Sequence, residues 1–199
     1  SKLRFPFYSL LLVSFLLLIS SAQATSLYKP EPEFVLEGEK AKPWEFIERH
    51  SDPHPRFPAE PFHEKLVQFY PQVLEAFGEK EPHSRKFLLH AMPGWDTSSK
   101  PYPVILLPGA NDDASRRYAY PHSPTHPQHL EKTGLGVYLA EQGFSVFAIS
   151  FSHFHGCNLH QGEAVANAIT RIRKLLGREG DESFKVDLIT YSKGAMAAR

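Results

Sequence analysis

Cysteine is nearly absent from this 199-residue chain: Cys157 stands alone, which rules out an internal disulfide framework and leaves a free thiol or an external partner. Net charge is absent too. Twenty-two Lys and Arg balance 22 Asp and Glu, and no basic patch invites nucleic acid. No Asn-x-Ser/Thr sequon occurs, so the chain gives no sign of display on a eukaryotic surface. None of the strands inferred below is followed by a Gly-rich phosphate loop, so no nucleotide cofactor is indicated. The longest apolar run, residues 10–19, is shorter than the roughly 20 residues that span a bilayer.

That short run sits in an export-signal pattern. Lys2 and Arg4 precede it, and Ala22-Gln23-Ala24 follows it as a small-x-small cleavage site, so residues 1–24 read as a signal peptide and the mature chain begins near Thr25. A permanent membrane anchor is the competing reading, and the short core argues against it. Beyond the signal, the chain is 42% hydrophobic with 17 Pro and 15 Phe, as suits a globular protein. Many of the prolines fall between Pro30 and Pro127, which implies irregular stretches around a more regular C-terminal region.

Residues 25–100 read as a Pro-rich extension with one helical segment. Across 61–77, Leu66, Phe69, Tyr70, Val73, Leu74 and Phe77 recur at helical spacing, with Pro71 interrupting them. Residues 86–90 read as a short strand. From 101 onward strands alternate with helices: strand 104–107 closed by Pro108-Gly109, helix 136–142 stopped by Gly143, and strand 144–149. Helix 163–176 then carries Val165, Ile169, Ile172 and Leu176 on one stripe, with Arg171, Arg173 and Lys174 near its C-terminal end, where cations suit the helix dipole. Strand 185–190 completes the series. Such alternation predicts an α/β fold, a mainly parallel sheet with helices on both faces, because parallel neighbours need crossover connections. Ligands bind outside the carboxyl ends of such strands. Three loops converge there: Pro108-Gly109-Ala110, the loop after Ser150, and Thr190-Tyr191-Ser192-Lys193-Gly194.

The last of these turns from strand to helix and holds the serine hydroxyl clear of the sheet, which makes Ser192 a candidate nucleophile. Small residues are favoured on both sides of such a serine. Gly194, after it, meets that demand fully, whereas Thr190, before it, is larger than the usual glycine and meets it incompletely. A serine hydroxyl needs a base and donors for the oxyanion formed on the attacked carbonyl. The N–H groups of Lys193, first after the serine, and of Ala110, after the Pro-Gly turn, are the candidate donors. Ser192 as a plain helix cap is the alternative.

Residues 103–109, 143–150, 165–170 and 186–194 together resemble the N-terminal half of an α/β-hydrolase lipase or esterase of the yeast lipase B type, and more distantly the bacterial class 2 lipases. The resemblance covers Pro103 to Arg199 and nothing before it. It implies the α/β-hydrolase fold, with Ser192 as nucleophile and Ala110 and Lys193 as oxyanion-hole residues. The yeast type has a threonine where Ala110 stands and a glutamine where Lys193 stands. Because only the backbone donates, the change at Lys193 is expected to matter little. The family order of Ser, then Asp or Glu, then His puts both partners beyond Arg199, so the domain is expected to be truncated after the elbow and inactive as it stands. Its implied partners are a lipid or other carboxylic ester and, transiently, a lipid interface, with no nucleic acid. Phe151, Phe154, Tyr191 and Met196 would suit an acyl chain.

Two other readings remain. A binding protein could keep the fold without the chemistry. A metal-dependent hydrolase could use His153, His155, Cys157 and His160, but the His-x-His-x-Asp-His pattern is broken there, with Cys157 in the Asp position and Asn158 in that of the second His. These residues read instead as a polar loop at the mouth of the site. His122, His126 and His129 fall in a Pro-rich loop.

Overall fold

Hydrophobic residues alternate along the central strands, and the two sets they define form two cores on opposite faces of one sheet. The computed structural model describes residues 31–52, 55–62, 69–120 and 134–199. The expected signal peptide, Leu66, His122, His126 and His129 lie outside the described residues. Among the described residues, no helix is long and apolar enough to cross a membrane.

Among the described residues six strands pair in the order β1-β2-β3-β5-β4-β6: β1 (Phe34–Glu37), β2 (Phe46–Ser51), β3 (Lys86–Ala91), β4 (Val104–Leu107), β5 (Val146–Phe151) and β6 (Asp187–Thr190). Pairing is parallel between β4 and β5 and between β4 and β6. It is antiparallel at β1-β2, β2-β3 and β3-β5. The sheet is therefore mixed rather than mainly parallel. Residues 25–100, expected to be an extension, instead supply three strands of the same sheet. Short connections such as the one from β1 to β2 return the chain antiparallel without a crossover helix.

One core packs Leu88, Val104, Leu106, Val146 and Ala148 against helix α1 (Pro71–Phe77), helix α2 (Leu135–Glu141) and Tyr118. The other packs Phe87, Leu89, Ile105, Leu107, Phe147 and Ile149 against α3 (Asn158–Leu175) and α4 (Gly194–Ala197). Helices thus cover both faces. Pro71 does not interrupt α1 but begins it, where its missing N–H costs nothing. Phe69 and Tyr70 precede the helix.

Arg171, near the C-terminal end of α3 as expected, turns onto the sheet and grips Glu48 of β2 through Nε–Oε2 (2.9 Å) and Nη2–Oε1 (2.6 Å). Both residues are buried. Burial pushes the Glu48 carboxyl up, but hydrogen bonds with His50 and Arg171 outweigh it and hold the group below its ordinary value.

Candidate active site

The parallel strands β5, β4 and β6 end on one edge of the sheet, and β4 lies between the other two. The turn after β4 is therefore flanked by the loop after β5 and by the corner after β6. Contacts join all three: His155 of the β5 loop hydrogen-bonds Asn111 beside the β4 turn, and the Lys193 side chain reaches Gly156.

Ser192 occupies the corner between β6 and α4 with φ 50°, a left-handed conformation that a residue with a side chain adopts at a cost. Tyr191 N–H donates to Leu107 O at 3.0 Å, tying the corner to the end of β4. The Tyr118 hydroxyl donates to the same carbonyl at 2.6 Å. A Cβ on Gly109 would lie 2.9 Å from Tyr191 Cδ1 and 3.1 Å from Ser192 Cβ. A Cβ on Gly194 would collide with the backbone that ends β4. Glycine at both 109 and 194 is thus a requirement of close approach. Ser192 ends up exposed.

The candidate oxyanion donors are placed by the same turns. Ala110 follows the Pro-Gly turn, and its N–H engages no acceptor among the described residues. Lys193 sits at the N-cap of α4, while the next N–H groups, of Gly194, Ala195 and Met196, are taken up by the carbonyls of Tyr191, Ser192 and Lys193.

Past Ala110 the chain enters a loop for which the sequence raises no expectation. Asn111 is left-handed with φ 61°, a conformation Asn tolerates better than most residues. Asp113 is fully buried and accepts from the N–H groups of Tyr70 and Arg116, both at 2.9 Å. Asp112 holds Arg117 Nε at 2.5 Å, and the Arg117 guanidinium lies 3.9 Å over the Tyr191 ring. Burial pushes both carboxyls above their ordinary values against these partners. One turn of π-helix, Ser115–Ala119, carries the chain away. The run Asn-Asp-Asp straight after a Pro-Gly-Ala turn is the one available signal of a specialised loop.

His153 and His160 are each taken up by a backbone carbonyl. His153 Nε2 meets Pro82 O at 3.0 Å, and His160 Nε2 meets Pro58 O at 2.6 Å. No group of three or more His, Cys, Asp or Glu placed to hold a metal ion occurs among the described residues. His155 does reach the mouth, through Asn111, but no described side chain hydrogen-bonds Ser192 Oγ. Of the apolar candidates, Phe151 and Phe154 belong to the buried cores, whereas Tyr191 and Met196 are exposed beside the serine.

In comparisons with family models, curated proteins and solved structures, nothing matches this chain.

Proposed function

We propose that this protein hydrolyses carboxylic esters, with Ser192 as nucleophile and the N–H groups of Ala110 and Lys193 as oxyanion donors. The observation that carries the reading is the left-handed backbone at an exposed serine, in a strand-to-helix corner that only Gly194 and Gly109 could accommodate. Strain of this kind is kept where it holds a reactive group in place. Within the α/β class, the reading is an α/β-hydrolase domain. The position of β4 between β5 and β6 supports it, because the Ala110 turn after β4 then neighbours the serine corner after β6.

Chemistry follows from that placement. A general base takes the proton from Ser192 Oγ as the oxygen attacks the ester carbonyl carbon, and the two N–H groups bind the oxyanion. The alcohol leaves with a proton, and water then releases the acid from the acyl-serine. Exposed Tyr191 and Met196 favour an apolar acyl group, hence lipid-like esters, and the N-terminal pattern favours an exported protein.

The test uses the full-length protein. Turnover of p-nitrophenyl esters of graded acyl length should fall by on the order of 10³-fold or more in Ser192→Ala. Undiminished turnover in that variant, or none in the parent, would defeat the reading; the second result fits a binding protein on the same fold.

A further inference from the structure

The structure assigns the Lys193 side chain as a positioning residue for the oxyanion site, an inference that rests on the serine-hydrolase reading. Its Nζ donates to three neutral acceptors: Gly156 O at 2.6 Å, Asn158 Oδ1 at 2.7 Å and Gln161 Oε1 at 2.7 Å.

The helix end that this side chain meets does not favour a cation. Asn158 opens α3, and the N-terminus of an 18-residue helix repels a cation. A lysine on an open surface would keep its head in water and its rotamer freedom. Here the side chain is half-buried and held by neutral groups.

The acceptors are themselves fixed. Gln161 Nε2 donates to His153 O at 2.9 Å, so its amide bridges the β5 loop and Lys193. Gly156 N–H bonds the same His153 O at 3.1 Å, and the next N–H, of Cys157, is held by both carboxylate oxygens of Glu60 at 3.0 and 2.9 Å. A Cβ on Gly156 would lie 2.9 Å from His153 Cβ. The far end of Lys193 is therefore anchored to a braced loop, while its near end carries the backbone N–H that faces the reacting carbonyl. Anchoring one fixes the orientation of the other.

Lys193→Met keeps the length and removes the bonds. In the full-length protein it should lower kcat by about 10- to 100-fold with KM within about threefold, since an oxyanion donor acts mainly in the transition state. Asn158→Ala/Gln161→Ala, which leaves the lysine in place, should give the same pattern if Lys193→Met folds poorly. Combining all three changes should cost no more than Lys193→Met alone, because they remove one device. Unchanged kcat in both variants, a loss confined to KM, or additive losses would each overturn the inference while Ser192→Ala still abolished turnover. Full turnover in Ser192→Ala would sink both this inference and the reading beneath it.

Discussion

Gly194 and Leu107 are in backbone contact: a Cβ on the glycine would stand 2.7 Å from the Leu107 carbonyl oxygen and 2.7 Å from that of Pro108. This is backbone against backbone, and neither side can swing away. Gly194→Ala should therefore lower stability by about 2–3 kcal/mol, at the upper end of overpacking effects, read as a lower urea midpoint. Gly162, within α3, is the matched control. Its Cβ would meet only Ala197 O at 3.5 Å, an ordinary contact, so Gly162→Ala should be neutral or stabilise by up to ~1 kcal/mol.

Ser192 should behave as a residue kept against stability. Its φ of 50° suits glycine better than serine. Ser192→Gly is expected to raise unfolding free energy by about 1 kcal/mol while removing the hydroxyl and with it any ester turnover. An equal or lower stability would show that the corner is unstrained.

The Glu48–Arg171 pair is a long-range clasp between β2 and α3, and its two side chains are only 5% and 10% exposed. Glu48→Gln leaves the Arg171 charge buried without its principal partner and should cost about 3–5 kcal/mol in urea unfolding. Because the folded carboxyl lies below its ordinary 4.5, its contribution is complete above that pH and is lost as pH falls through the folded value. The loss in Glu48→Gln should accordingly shrink in acid.

His90 adds a second acid-sensitive element. It is fully buried, its Nε2 meets Ser150 Oγ at 2.9 Å, and its Nδ1 has no partner among the described residues. Burial lowers its pKa from 6.5 to about 3, so the ring is neutral in the fold but takes a proton when unfolded below 6.5. Stability should then fall between pH 6.5 and about 3 by about 1.4 kcal/mol per pH unit. His90→Gln should flatten that slope in unfolding curves taken at about pH 7, 6 and 5.

Sequence and structure agree most closely where one local rule governs. Residues 104–107 form the expected strand, because a run of four buried aliphatics enclosed by Pro103 and Pro108 has no helical alternative. The strand expected at 86–90 extends one residue further, to Ala91. α3 begins at Asn158, five residues before its expected start at 163: no side chain caps it, and the one hydrophobic residue of its first turn, Leu159, is exposed. β2 leaves no such trace: Glu48, Arg49 and His50 break the apolar alternation, and Glu48 is buried only because Arg171 lies across from it. At the site, Ser192, Gly194 and the Ala110 turn are legible from residue type and spacing. The clamp on Lys193 is not, because its three acceptors lie 32 to 37 residues away in sequence.

The central claim is that Ser192 is an activated nucleophile, and one covalent probe addresses it directly. The full-length protein is treated with a fluorophosphonate and digested, and the modified peptide is located by mass spectrometry. An unactivated serine does not react with such a probe. The account predicts a single phosphonyl adduct on Ser192, absent from Ser192→Ala. Adduct formation elsewhere with Ser192 unmodified, or no adduct at all in folded protein, would contradict it.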